Sequence, residues 1–322
     1  MITTDISIDA FRKAHEHVKE HAHHTPLIES RSLSEATGFR AVMKAESFQK
    51  TGSYKIRGPL VKLAHLDEAE KQAGVICSSA GNHAQGVALA AALHGIKAVV
   101  VMAENATPSK IEATRGYGAE VVLHGSIWDE ANEKALELVE ERGLTYVHPF
   151  DDLDLITGQG TLGLEIYDDL PDVETVVVPI GGGGLISGVS MALKALKPEI
   201  RIIGVESSGA PAMKRSVEEG QRVELDQVDC VIDGLTVKRV GEKTLDIVRR
   251  NVDEIVALPD EKIFEALLWT LARTKIVVEG AAAAPIAAAL NDLVDAEPGS
   301  TVVFVLSGGN LKLEQLSGVR WN

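Results

Sequence analysis

From Gly74 onward, short β-branched runs alternate with stretches of helical period: VICSS then NHAQGVALAAALHG, KAVVVMA then TPSKIEATRGYG, AEVVLHG then SIWDEANEKALELVEERG. Continuously apolar strands followed by helices are βα units, and they predict a parallel sheet covered on both faces. A second series starts at ETVVVPI, continues through GGGGLISGVSMALKALK and IRIIGVES, and closes with TVVFVLSGGN. The pattern predicts an α/β protein of two doubly wound open-sheet lobes. Residues 71–150 form the smaller lobe, and residues 1–70 join 151–322 in the larger one, because the strand-like VMKAES needs a sheet to pair with.

In open α/β sheets ligands sit beyond the carboxyl ends of the strands, and here those ends carry SSAGNH, PIGGGG and LSGGN. PIGGGGLISG leaves a buried strand and opens a helix, so four glycines can turn N–H groups toward an anion. A dinucleotide site is the rival, since Gly182 and Gly184 fit the first two glycines of GxGxxG and Glu206 ends the next strand; the third glycine position, however, is Ser187. In ESFQKTGSYKIRG, Lys55 follows a TGS turn and opens an apolar helical pattern. A lysine there is either solvated or, with a carbonyl cofactor nearby, a Schiff-base lysine. SSAGNHAQG precedes a helix whose free N–H groups suit a carboxylate, and Asn82 can orient a phenolic oxygen; capping by Ser79 or Asn82 is the structural alternative. Ser307, after the apolar VVFVL, can hydrogen-bond a heteroaromatic nitrogen. The alanine-rich EGAAAAPIAAAL reads as a closely packed helix, with Glu279 at its start.

The amino-terminal run His17-Val-Lys-Glu20-His21 matches the HxxEH zinc pattern on one helix face. Five of the ten histidines crowd into the first 24 residues, so a solvated polar helix accounts for them and no metal is assigned. With 322 residues, 45% hydrophobic content and a formal charge of -15, the chain can bury a large core and has little attraction for nucleic acid or anionic membrane. Cys77 and Cys230, far apart and outside any CxxC, read as core residues, and without a long apolar stretch the expected compartment is the cytoplasm.

Taken in order, SYKIRG, SAGNHAQG, GGGGLISG and SGGN, with HPFDD and ITGQGTLGLEI between the second and third, resemble the fold-type-II pyridoxal-phosphate enzymes. The likeness runs from about Thr25 to Asn310 and is closest to the threonine and serine ammonia-lyases, short form without a regulatory domain. It implies a tryptophan synthase β-like architecture with a large cofactor-binding domain and a small mobile one. It implies pyridoxal 5'-phosphate on Lys55, with Gly181, Gly182, Gly183, Gly184 and Leu185 as the phosphate loop and Asn82 beside the 3-hydroxyl. Ser307 is the implied partner of the pyridine nitrogen, and Ser79, Ala80, Gly81 and His83 the implied carboxylate cup. Tyr54, Phe48, Phe150 and Ile232 are implied around the ring, with Glu279 near it.

By this resemblance the chain eliminates water and ammonia from threonine or serine, as a homodimer or homotetramer acting on a small amino acid. Serine racemase, a threo-3-hydroxyaspartate ammonia-lyase, an amino-acid sensor that keeps the cofactor, and an NAD-binding protein are the alternatives. Two departures bear on the choice. Racemising relatives carry a serine where this chain has Ala80, and relatives with a structural cation have a second acidic side chain where this chain has Ala212, although Glu206 is present.

Overall fold

A computed structural model describes residues 4–311. The amino-terminal half runs α1 (Ile8–His21), β1 (Leu27–Glu29), α2 (Arg31–Thr37), β2 (Arg40–Ala45), α3 (Arg57–Ala64), α4 (Glu68–Ala73), β3 (Val75–Ser78), α5 (Asn82–His94), β4 (Ala98–Met102), α6 (Pro108–Gly116), β5 (Glu120–Leu123), α7 (Trp128–Arg142) and β6 (Thr145–Tyr146). The chain continues with α8 (Leu153–Asp169), β7 (Thr175–Pro179), α9 (Gly184–Leu196), β8 (Arg201–Ser207), α10 (Ala212–Glu218), α11 (Glu242–Asn251), β9 (Glu254–Leu258), α12 (Asp260–Thr274), α13 (Gly280–Leu290) and β10 (Thr301–Leu306). Among the described residues no helix is long and apolar enough to cross a membrane.

The described strands form two sheets. The six-stranded sheet has the order β1-β2-β10-β7-β8-β9, and the four-stranded sheet β5-β4-β3-β6. Among the described strands only β1 runs antiparallel, against β2; every other pairing is parallel. VMKAES therefore finds its partner at the far end of the chain, where Met43 registers with Phe304 in β10. β7 and β10 are buried along their whole length, which is why they read as apolar runs rather than as alternation. The alanines of α13 are likewise buried and pack with β7, β8 and β10, so small side chains let that helix approach the sheet closely.

Strand order locates the site. From β7 the chain winds outward through β8 and β9, then returns to the opposite side of β7 as β10; the small sheet does the same from β3 through β4 and β5, returning as β6. Each reversal is a switch point, where the helices leaving neighbouring strands lie on opposite faces and open a crevice. The glycine run and Ser307 leave β7 and β10, while SSAG and HPF leave β3 and β6. Residues after β2 link the two sheets. Ile56, Leu60 and Leu63 share a core cluster with Val75, Val87 and Val100 of the small sheet and its helix, whereas Arg57 bonds to α8 of the large layer.

Candidate active site

Lys55 sits in a single 3-10 turn, Tyr54–Ile56, that follows extended Ser53. Two close approaches fix that turn. Tyr54 N–H donates to the Ser307 carbonyl at 3.1 Å, tying the lysine segment to the exit of β10. On the other side, a Cβ on Gly86 would stand 2.5 Å from the Lys55 carbonyl oxygen, so α5 packs against the lysine backbone only because position 86 is glycine. The Lys55 ammonium group donates to the Pro149 carbonyl at 2.9 Å and lies 5.3 Å from the Tyr54 ring centre. Burial lowers its pKa to about 8, with the Glu279 carboxyl pulling the other way.

Close neighbours crowd three of the four glycines, and backbone conformation sets the other. A Cβ on Gly181 would fall 2.1 Å from the Gly234 carbonyl oxygen, one on Gly182 2.2 Å from the Phe150 ring, and one on Gly184 3.0 Å from the Phe150 backbone. Gly183 has φ +93, a conformation that side chains rarely adopt. No side chain caps the amino end of α9, so its first N–H groups remain for an anion. The Leu185 side chain lies in the large hydrophobic core, so only its backbone is available to the loop. Thr244 Oγ1 donates to the Gly182 carbonyl at 2.8 Å, and the Asp151 carboxylate accepts from the N–H groups of Glu242, Lys243 and Thr244. The HPFDD segment thus braces the glycine loop from below and caps α11.

The amino end of α5 also lacks a side-chain cap, with Gly81 preceding it. The Ser79 hydroxyl accepts from Gly81 N–H at 3.1 Å and shapes the turn, while Ala80 is half-buried against the small-lobe core. Asn82 Nδ2 donates to Glu279 at 2.7 Å, and its Oδ1 accepts from Asn310 Nδ2 at 2.7 Å. Asn310 in turn donates to the Thr51 carbonyl at 2.8 Å, so one amide ties the loops after β2, β3 and β10 together. In the sequence Asn310 stands out only as the last letter of SGGN. Burial raises the Glu279 pKa to about 7, against the Asn82 hydrogen bond. Burial and Glu279 also raise that of Tyr54.

The His83 side chain points away from the loop: Nε2 meets the Val147 carbonyl at 2.9 Å, and burial followed by the charge on Lys55 lowers its pKa to about 3. A neutral imidazole donating to the residue after β6 leaves only its backbone N–H for a carboxylate. Ser307 is 3% exposed, next to Gly308, whose missing Cβ leaves room for Glu279. Phe150 supports the glycine loop, Ile232 is buried beside Gly280, and Phe48 is 48% exposed. Glu206 is not free for a ribose: its two carboxyl oxygens accept from Met213 N–H and Lys214 N–H at 2.8 Å each, buried at the start of α10.

The switch points of both sheets therefore converge on a partly buried lysine of low basicity, a glycine run closely crowded by its neighbours and a second uncapped helix end. An amine beside a cradle for a phosphate suits a phosphorylated carbonyl cofactor. Residues 18–308 match the pyridoxal-phosphate dependent enzyme family, and the chain belongs to it. It is 48% identical over 314 residues to an L-threonine ammonia-lyase of Thermotoga maritima, covering 98% of this chain and 78% of that one. Among solved structures, the processed form of threonine deaminase isoform 2 from Solanum lycopersicum shares 37% identity at a TM-score of 0.91, covering 97% of this chain and 94% of that chain. Maize serine racemase aligns at a TM-score of 0.92 with 35% identity, covering 96% and 95% respectively.

Gly182→Ala is expected to weaken cofactor binding at least about tenfold and to cost about 1–3 kcal/mol of stability, because the added methyl drives Phe150 out of its seat. Cofactor dissociation followed by absorbance, together with thermal unfolding, checks this. Unchanged cofactor affinity would remove the glycine run from the anion site.

Proposed function

We propose that the chain eliminates water and ammonia from L-threonine, and from L-serine, giving 2-oxobutanoate or pyruvate. The observation that carries this reading is the placement of Lys55. Its amine contacts Pro149, and the next residue, Phe150, supports the glycine cup. Bound in this crevice, pyridoxal phosphate supplies a conjugated electron sink for charge developing at the substrate Cα. The residues of the chain do the rest. Lys55 would hold the cofactor aldehyde and then take the proton from Cα, balanced by the proton that departs with the β-hydroxyl as water, a task suited to an amine with a pKa near neutrality. Gly181, Gly182, Gly183, Gly184 and the first N–H groups of α9 hold the phosphate. Backbone N–H groups at the start of α5, with the Ser79 hydroxyl, orient the substrate carboxylate. Ser307 meets the ring nitrogen, and the hydroxyl leaves it unprotonated, a shallow sink that favours expulsion of the β-substituent. Asn82, held by Glu279 and Asn310, orients the ring hydroxyl.

Residues 71–150, built on the four-stranded sheet, move as the small lobe over this crevice. The formal charge of -15 fits a soluble cytoplasmic enzyme, and the expected assembly is a homodimer or homotetramer. Release of ammonia and 2-oxo acid from L-threonine by the purified, cofactor-loaded protein tests the reading. A protein that binds threonine, changes its spectrum and releases no ammonia would be a sensor instead.

Racemisation is the reading that shares most of the site. Inverting Cα requires a proton donor on the face opposite Lys55, and Ala80 offers only a methyl group. Wild type is therefore expected to make little D-serine, and Ala80→Ser to raise the ratio of D-serine to pyruvate. A chiral assay with L-serine, run beside pyruvate formation, decides the matter. Wild type that racemises L-serine as fast as it makes pyruvate would establish the racemase reading.

A further inference from the structure

The HxxEH run of α1 does not face solvent alone. His17 and His21 are partly buried against the carboxyl end of α5, where His94 completes a triangle of imidazoles. Ring centres lie 5.2 Å apart for His17 and His21, 5.2 Å for His17 and His94, and 5.7 Å for His21 and His94. The Nε2 atoms of His17 and His94 are 3.1 Å apart. Ligand atoms of His17, Glu20 and His21 all lie within 4.8 Å of one another.

We propose that His17, His21 and His94, with Glu20, form a binding site for a divalent transition cation, zinc being the fitting ion, which clamps α1 to the far end of α5. The separations suit it. Zinc–nitrogen bonds of roughly 2.0–2.1 Å put tetrahedral ligand atoms about 3.3 Å apart, close to the His17–His94 spacing. The wider spacings close by rotation of Glu20, which is exposed, and His21, which is only partly buried. His94 is already prepared as a ligand. Its Nδ1 is 2.8 Å from the Ala90 carbonyl, which can only accept, so Nδ1 carries the proton and Nε2 presents its lone pair toward His17. Burial, and then the neighbouring imidazoles, lower the pKa of His17. For His94 burial is likewise the largest cause, with His21 and Lys71 lowering it further against the Ala90 bond. Neutral imidazole is the form that binds metal.

Three nitrogen ligands with one carboxylate match a closed tetrahedral zinc site rather than an oxygen-ligated magnesium or calcium site. The cluster is separate from the catalytic crevice: α5 places His94 about 18 Å along its axis from Asn82. The ion would therefore fix helix packing and take no part in the chemistry.

The experiment uses tag-free, cofactor-loaded protein stripped with a chelator and titrated with zinc chloride by calorimetry, with cobalt(II) as a visible-spectrum probe of geometry. One zinc per chain is expected, with tetrahedral cobalt bands and a higher thermal midpoint, because an ion bound only by the native state stabilises it. His94→Gln should weaken zinc binding at least about tenfold and abolish the midpoint shift, while His24→Gln, outside the cluster, should change neither. If His94→Gln unfolds without metal, His21→Gln gives the same reading at a more exposed position. Absence of saturable zinc binding, or equal binding by wild type and both cluster variants, overturns the site.

Discussion

Lys55→Ala is expected to lower turnover of L-threonine by a factor on the order of 10³ or more, since on the proposed reading it removes both the attachment point of the cofactor and the group that takes the Cα proton. The structure sharpens this expectation. An ordinary lysine at pH 7 is neutral in fewer than about one molecule in a thousand, whereas a pKa of about 8 leaves about a tenth of Lys55 neutral. Its depressed pKa follows from burial, with Glu279 limiting the fall. Capture of the cofactor aldehyde requires the neutral amine. Loading of the stripped wild-type protein should accordingly quicken as pH rises toward about 8 and level off beyond it. Borohydride reduction of the loaded protein should fix the cofactor on the peptide containing Lys55. Lys44 is a rival in the same stretch of sequence, but it is fully buried and paired with Glu165. Label on any other lysine, or residual turnover within tenfold of wild type, would sink the assignment. The thermal midpoint of the cofactor-free variant should stay close to that of cofactor-free wild type, separating chemistry from folding.

What could be read from the sequence, and what could not, divides by distance along the chain. Gly181, Gly182, Gly183 and Gly184 were legible because a glycine run after a buried strand has few structural uses, and SSAGNH and SGGN were legible for the same positional reason. The pairing of VMKAES with the carboxyl-terminal half was legible as an unmet need for a sheet, and β10 meets it. Side-chain partners more than a few turns away were not. Nothing local in HPFDD shows that Asp151 caps a helix about ninety residues later. Nothing in SAGNHAQG shows that His83 turns toward β6 while Asn82 turns into the crevice, because adjacent residues at a helix start diverge by about 100°. The HxxEH run could be weighed only as a lone helix face; His94, 77 residues away, changes its surroundings. Charged residues were the least legible, since Arg57, Lys44, Glu46 and Glu165 look solvated in sequence and are all buried.

That buried quartet leads to the largest stability effect expected outside the catalytic group. Arg57, two residues beyond Lys55, makes four bonds to carboxylates: to Glu46 at 2.8 and 2.9 Å and to Glu165 at 2.7 and 2.9 Å, with a fifth to Thr161 at 3.1 Å. Lys44 lies 2.7 Å from Glu165 and donates to the Thr25 carbonyl, and the Thr25 hydroxyl bonds to Glu46. Two cations and two anions balance, so the cluster is tolerable without water. It also joins the strand β2, the lysine turn and α8, and thereby fixes the direction from which Lys55 enters the crevice. Arg57→Met keeps much of the volume but leaves two buried carboxylates facing one ammonium, and is expected to cost about 3–5 kcal/mol, or on the order of 10 °C in thermal midpoint. Glu165→Gln added to Arg57→Met restores the balance of charge, so the double variant should be more stable than the sum of the single losses implies. The pH dependence gives a second check with a definite sign. Burial alone would raise the Glu165 pKa, but Arg57 and then Lys44 hold it at about 2, below its unfolded value. Wild type consequently keeps this contribution at neutral pH and loses it only as pH falls below the ordinary carboxylate range toward 2. Without Arg57, burial dominates and the carboxyl protonates more readily. The gap between Arg57→Met and wild type should therefore narrow from pH 8 to pH 5, as the variant neutralises a charge that wild type keeps paired. Thermal or urea unfolding of the four proteins at both pH values measures this. A single variant within about 1 kcal/mol of wild type at pH 8, or a gap that widens on acidification, would show that the quartet does not hold the lysine turn in this way.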